Sequence, residues 1–276
     1  MKKVSCALTI AGTDPTGGAG IQADLKTFEE LKSYGMSVIT SVVAQNTTGV
    51  QELHHIPLSM LSSQLNSVFS DMPVHAVKTG MIADKEMMQA VAQYLQEGHF
   101  PYVMDPVMVA TSGDALIAEN SRLYLRDHLL PLTTLVTPNI HEAVYLTGKK
   151  IETTTDMQEA AKLLVDKYGA GAALIKGGHM KGDAVDFLYD GKEMHTFTAK
   201  RIETENTHGT GCTYSAAVTA FLSQGMPLLT SVRKAKMFVT AAIRNSFDIG
   251  NGNGPTNHWA AREEMLFHER ETIQDL

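Results

Sequence analysis

Val4-Ser-Cys-Ala-Leu-Thr-Ile-Ala-Gly12 runs straight into Thr13-Asp-Pro-Thr-Gly-Gly-Ala-Gly20 and then into Ile21-Gln-Ala-Asp24. Residues 4–10 are short, apolar and uninterrupted, the pattern of a strand covered on both faces. Ile21, Leu25, Phe28 and Leu31 then recur at spacings of three and four, which predicts a helix with one apolar face and Gly35 as its C-terminal cap. A strand, a glycine-rich turn and a helix in succession are the first half of a βαβ unit, and the rest of the chain repeats that rhythm.

Further buried parallel strands are expected at 38–44, 75–78, Tyr102–Met104, 134–136 and 172–176. Helical spacing links them: Leu58, Leu61, Leu65, Val68 and Phe69 mark one helix, another lies between Asp84 and Leu95, and a third covers 156–168. This predicts an α/β fold, a three-layer sandwich with a mostly parallel central sheet and helices on both faces. Asp190-Gly191 inside 184–198 predicts a β-hairpin, and two helices follow at 212–222 and 231–246. With no linker, repeat or low-complexity tract, residues 1–276 read as a single domain. Gly250 to Gly254 reads as an exposed turn, and His54-His55 as a surface loop.

The chain has 276 residues, 43% of them hydrophobic and 19% charged, with 22 glycines. Lys and Arg total 23 against 30 Asp and Glu, a net charge of -7, so no basic field exists to collect nucleic acid. Cys6 and Cys212 are too few and too far apart for a disulfide framework or a CxxC metal site, which favours a reducing cytoplasm. The apolar stretch after Met1-Lys2-Lys3 is too short for a secretory signal, and no apolar run reaches the roughly 20 residues that span a membrane.

Two glycine turns open helices: the one quoted above, and His208-Gly209-Thr210-Gly211-Cys212. Neither carries the Lys of a Walker motif, and Tyr214 stands where a dinucleotide fingerprint needs glycine. Either turn alone is an ordinary tight turn. Together they point to backbone amides gathered around phosphate at helix N-termini. Cys212 in a first turn is expected to have a lowered thiol pKa and to take a proton from a substrate hydroxyl, with the Gly209 and Gly211 amides holding the transferring phosphoryl group; a covalent nucleophile or an inert thiol are the other readings. Lys176-Gly177-Gly178-His179 places a cation beside an open turn, and Asp105 puts a carboxylate at the same sheet edge. Asn139 and Glu142, three apart on one helix face, are an oxygen pair suited to Mg2+ directly or through water, although NxxE is also a common helix cap. Met81 follows a strand end, where it contacts an aromatic ring or fills core. Val218, Phe238 and Ala242 line an adenine site or pack the core.

With Ala11 to Asp24, Val43-Ala-Gln-Asn46, Lys78-Thr-Gly-Met81, Asp105-Pro-Val-Met108, Thr137-Pro-Asn139, Lys176-Gly-Gly-His179 and Asn206-Thr-His-Gly-Thr-Gly-Cys212 in this order, the chain resembles the ribokinase-like superfamily. Within it the chain is most similar to the hydroxymethylpyrimidine/phosphomethylpyrimidine kinases of the thiamine pathway. The resemblance runs from about Val4 to His258. It implies a ribokinase-like fold with a small β flap after Asp105, and ATP-dependent phosphorylation of the aminopyrimidine alcohol and then of its monophosphate. It also implies a ring site formed by Ala19, Gln45 and Met81 with Asp24 nearby. Gln45 suits an aminopyrimidine edge because an amide both donates and accepts. Nucleotide contacts fall on Asn139, Lys176, Gly177, Gly178, Asp186 and Gly211, and Mg2+ on Asp105, Asn139 and Glu142, with a monovalent cation as a further expectation and a homodimer as the assembly.

Cys212 stands where sugar-kinase relatives have an aspartate base, and two readings follow: Cys212 is the base, or the amides carry the rate and Cys212 shapes the site. The flap reads Thr111-Ser112-Gly113-Asp114 without the preceding Lys of close relatives. Ala110 stands where certain pyridoxal kinases carry a second cysteine. That argues against a two-cysteine pyridoxal chemistry. A pyridoxal or pyridoxine kinase is still the nearest rival, because the two substrates are similar flat heteroaromatic alcohols, and a non-catalytic nucleotide or vitamin sensor is the alternative from another class.

Overall fold

The computed structural model describes residues 4–108, 119–178, 180 and 182–262. Nine strands form one sheet in the order β3-β2-β1-β4-β5-β6-β7-β8-β9. They are β1 Cys6–Gly12, β2 Tyr34–Asn46, β3 Gly49–His55, β4 Ala76–Thr79, β5 Tyr102–Met104, β6 Leu135–Val136, β7 Ala173–Ile175, β8 Ala184–Tyr189 and β9 Met194–Ala199. From β2 to β7 every neighbouring pair is parallel, while β3 at one end and β8–β9 at the other run antiparallel.

The period of two along β1 sets the layers. Leu8 and Ile10 face one side, where they join Leu61 and Leu65 of α2 (Leu58–Phe69), Met88 and Val91 of α3 (Lys85–Glu97) and Met157 and Ala161 of α6 (Thr154–Asp166). Ala7 faces the other side and packs with Phe28 of α1 (Gly20–Glu30) and with Ala216 and Ala220 of α7 (Thr210–Ser223). Among the described residues, two short helices, α4 (Glu119–Tyr124) and α5 (Ile140–Thr147), and the long α8 (Leu228–Arg244) are the remaining α-helices. Every residue of α7 from Thr213 to Ser223 is buried, because its alanines let it lie close on the sheet with α8 closing over it. Strand order reverses at β1, which has β2 on one side and β4 on the other, so a crevice opens beyond its C-terminal end.

Two expectations are corrected, and one open alternative is met. β3 replaces the expected loop at His54-His55; both histidines are exposed, and β3 pairs antiparallel with β2, which is longer than the predicted 38–44. Gly35 does not cap α1: the helix stops at Glu30, Lys32 takes the left-handed turn (φ 62°), and Gly35 lies in β2 opposite Ala7. Val218, Phe238 and Ala242 are all buried, Val218 and Phe238 in the core between the sheet and α7–α8. The flap residues Ala110 and Thr111 to Asp114, and His179, lie outside the described residues. Among the described residues no helix is long and apolar enough to cross a membrane.

Candidate active site

The parallel strands end in step, and the hydrogen-bond ladder continues one residue beyond them. Gly80 N–H donates to Ile10 O at 3.0 Å, Asp105 N–H to Thr79 O at 2.9 Å, Thr137 N–H to Met104 O at 2.9 Å and Lys176 N–H to Pro138 O at 2.9 Å. Asp105, Thr137, Asn139 and Lys176 are thereby delivered to one edge of the sheet.

At the centre of that edge Lys176 Nζ lies 3.0 Å from Asp105 Oδ1, while Ser215 Oγ donates to Asp105 Oδ2 at 3.2 Å. Burial works against both charges, yet each holds the other ionised: Asp105 sits below the usual carboxylate range through Lys176 and Lys78, and Lys176 above the usual lysine range through Asp105 and Glu142. The N-terminus of α7 faces this pair. A Cβ at Gly211 would stand 3.3 Å from Lys176 Nζ and 3.6 Å from Asp105 Oδ2. Thr210 N–H is taken by Thr207 O and Thr213 N–H by Gly209 O, but the Gly211 and Cys212 N–H groups have no backbone acceptor among the described residues. Two unspent amides beside a buried ammonium make a ready anion site.

Cys212 occupies the expected first turn, but its thiol is not activated. Burial pushes it up to about 12, and the Asp24 and Asp105 charges add to that rise; Lys78 and the Gly20 N–H pull the other way without reversing it. That direction is opposite to the expected lowering: the helix end and Lys78 act on this partly buried thiol, but desolvation acts more strongly.

The first glycine turn closes over the same edge. A Cβ at Gly209 would lie 1.7 Å from Gly18 O, so the two turns are in main-chain contact. Ala19, half-buried, donates its N–H to Asp14 Oδ2 at 2.7 Å. Gln45 on β2 is half-buried, and its amide side chain helps to hold the Asp14 carboxyl low. Met81 follows β4 with its methyl end against Gly12, where an added Cβ would come within 2.5 Å. Asp24 offers no surface to a ligand: fully buried, it accepts from Thr9 Oγ1 at 2.6 Å and from Lys78 Nζ at 2.7 and 2.8 Å. Burial disfavours the Lys78 ammonium, but Asp24, and beyond it Cys212 and Asp105, hold its pKa above the ordinary lysine value.

On the other flank, Asn139 and Glu142 form a capping box for α5, with Asn139 N–H to Glu142 Oε2 at 2.8 Å and Glu142 N–H to Asn139 Oδ1 at 2.9 Å. Burial raises Glu142 to about 7; Lys176 counteracts this and Asp105 reinforces it. Among the described residues no three His, Cys, Asp or Glu side chains converge as a metal cage. Two buried carboxylates that repel one another form an all-oxygen donor set that fits a hard cation keeping most of its water, which is how Mg2+ is usually held. Gly177 donates its N–H to Asp186 Oδ1 at 3.0 Å, and Lys236 Nζ meets Asp186 Oδ2 at 2.7 Å, so Asp186 is buried under the 177–178 turn rather than open to a ligand.

Lys78, Ser215, Asp14 and His208 were not singled out by the sequence reading. Lys78 carried the clearest signal, because a lysine inside a short buried strand requires a buried partner, which Asp24 of α1 supplies. Behind α7, His258 is buried with Nε2 3.1 Å from Thr213 Oγ1, and burial, with Lys26, lowers its pKa to about 4. A histidine kept neutral in the fold contributes stability that is full above about pH 6.5 and is lost as pH falls toward 4, by up to about 3 kcal/mol. Urea unfolding at pH 7.5 and pH 5 is expected to show a smaller acid loss in His258→Gln than in the parent; equal losses would remove His258 as the cause.

A family model described as phosphomethylpyrimidine kinase matches residues 14–257. A hydroxymethylpyrimidine/phosphomethylpyrimidine kinase of Staphylococcus aureus (strain MRSA252) is 47% identical over 263 residues, covering 94% of this chain and 95% of its own. The ADP complex of Bacillus subtilis pyridoxal kinase aligns with a TM-score of 0.87 at 39% identity, covering 95% of this chain and all of that one. The pyridoxal kinase of Staphylococcus aureus in complex with AMP-PCP and pyridoxal aligns with a TM-score of 0.87 at 34% identity, covering 94% and 95%.

Proposed function

The chain belongs to the phosphomethylpyrimidine kinase family, and from that premise we propose how its residues divide the work of phosphoryl transfer. It is an ATP-dependent phosphotransferase of ribokinase-like fold, acting on hydroxymethylpyrimidine and on the resulting monophosphate in thiamine biosynthesis. The unspent Gly211 and Cys212 amides facing Lys176 carry the assignment of the transfer site. They hold the γ-phosphoryl oxygens as the substrate hydroxyl oxygen bonds to phosphorus and the bond to the β-phosphate oxygen breaks. Lys176, fixed by Asp105, neutralises charge on the bridging side. ADP and AMP-PCP in the related pyridoxal kinases support ATP as the phosphate donor.

Ala19, Gln45 and Met81 form the ring site, with the Gln45 amide meeting the aminopyrimidine edge. Asp24 acts through Lys78 rather than on the substrate, and Asp186 shapes the Gly177-Gly178 turn that receives the nucleotide. Asp105 and Glu142 would hold Mg2+ through water, with Asn139 fixing Glu142; when bound, the ion supplies charge neutralisation between the phosphates. A monovalent cation would sit on the same anionic flank. With its thiol pushed up rather than down, Cys212 contributes to transfer through its N–H, and its side chain packs the wall behind the acceptor. Residues 1–276 act as one domain, as a homodimer in the cytoplasm.

Side-by-side measurement of ATP consumption with hydroxymethylpyrimidine, its monophosphate and pyridoxal is the test. Both pyrimidines are expected to turn over faster than pyridoxal. Preference for pyridoxal would make this a pyridoxal kinase, and binding without transfer in Mg-ATP would make it a sensor.

A further inference from the structure

Asp14 lies in the first glycine turn, on the side that meets the second, and its carboxylate is fully engaged. Oδ1 accepts from Thr16 N at 2.9 Å and from Thr16 Oγ1 at 2.8 Å; Oδ2 accepts from Ala19 N at 2.7 Å and lies 2.8 Å from His208 Nε2. Its own N–H donates to Gln22 Oε1 at 2.8 Å. The Asp14 side chain is 1% exposed and that of His208 12%. Burial alone would raise the Asp14 carboxyl, but hydrogen bonds from His208, Gln45 and Thr16 bring it well below the usual carboxylate range.

His208 belongs to both walls. Its backbone is fixed at the foot of α7, with His208 N–H to Gly254 O at 3.1 Å, Thr256 N–H to His208 O at 3.3 Å, and Gly209 following as the helix cap. Its ring lies on the opposite turn, where a Cβ added to Gly18 would meet His208 Cδ2 at 2.5 Å. Among the described residues, Asp14 to His208 is the one hydrogen bond between side chains that joins residues 13–20 to residues 206–212.

We propose that Asp14 and His208 are a positioning pair that sets the distance between the ring site and the phosphate-holding amides. The proposal rests on the kinase reading above. Ala19, on the acceptor side, hangs from the Asp14 carboxylate; Gly211 and Cys212, on the phosphate side, follow His208 in the chain. Neither wall needs the pair to fold, since α7 is held by its buried face and residues 13–16 by Gln22, Thr16 and the Thr13 N–H bond to Ser41 O at 2.9 Å. The pair instead holds the acceptor oxygen in line with the phosphorus, where a displacement of about 1 Å costs on the order of 100-fold.

The test compares the full-length parent, His208→Ala and His208→Gln, with hydroxymethylpyrimidine and pyridoxal as separate acceptors. Readouts are kcat, KM for ATP, equilibrium binding of ADP and of the pyrimidine, and the melting temperature. His208→Ala is expected to lose about 30- to 100-fold in kcat while each binding constant moves by less than about threefold. His208→Gln keeps an N–H donor able to reach Asp14 and is expected to recover most of the lost rate. Parent-like kcat in His208→Ala overturns the proposal, as does a rate loss that tracks the melting temperature and is not rescued by glutamine. If the parent turns over only pyridoxal, the substrate reading fails while the His208 comparison is still read on pyridoxal; if it turns over neither, both readings fall.

Discussion

Replacing Lys176 by methionine lowers kcat by about 100- to 1,000-fold, the range seen when a preorganised group is removed from charge developing in a transition state. The loss falls mainly on kcat because the Gly211 and Cys212 amides remain to bind phosphate. A second effect accompanies it. Asp105 is 2% exposed and, among the described residues, its one ion pair is with Lys176 at 3.0 Å, so the variant strands a buried carboxylate and loses about 3 kcal/mol of stability. Adding Asp105→Asn removes the stranded charge and restores much of the melting temperature without restoring the rate. Steady-state kinetics and thermal unfolding on the single and double variants separate the two effects; a Lys176→Met enzyme within about fivefold of the parent kcat would remove Lys176 from the transfer step.

Gly209→Ala is the second large effect, and it acts through the main chain. Gly209 has φ 79°, and a Cβ there would lie 1.7 Å from Gly18 O and 2.6 Å from Gly18 C. The left-handed conformation alone costs a residue with a side chain about 1–2 kcal/mol, and the clash with a backbone carbonyl forces the two turns apart. A loss of at least about 3 kcal/mol is expected, or roughly 6–12 °C in melting temperature, together with about 100-fold in kcat as the phosphate-holding amides move from the ring site. Gly225 is the internal control: it has the same φ of 79° with nothing within 4 Å of its added Cβ, so Gly225→Ala incurs the conformational cost alone. Equal melting temperatures for the two variants would show that contact with Gly18 does not matter.

The parallel core was readable in the chain because strands buried on both faces are written as unbroken apolar runs, and 4–10, 75–78 and 172–176 all fall on observed strands. β3 was not, because its residues are largely exposed and polar, and pairing with β2 rather than burial makes it a strand. Gly35 misled for a related reason: glycine is the usual left-handed cap, but Lys32 adopts that conformation, and Gly35 is needed where a Cβ would press on Leu25 and Phe28. At the site, positions were legible and environments were not. Cys212 lies in the first turn of its helix as its spacing indicates, yet the direction of its pKa depends on how much water reaches it, which no local motif encodes. Asn139 and Glu142 lie together as NxxE suggests, and their capping box shows that one pair of side chains can start a helix while leaving a carboxylate at the sheet edge.

The packing of α7 bears on a reaction that must be performed twice. Eleven consecutive residues of this helix are enclosed, so its N-terminal amides cannot travel to meet a longer acceptor. In the first transfer the attacking oxygen is attached to the methylene next to the ring; in the second it is one phosphate unit farther out. A stationary receptor with two acceptors of unequal reach requires the pyrimidine to occupy two different depths in the crevice. On the proposed division of the site, the adaptable surface is therefore the side that holds the ring.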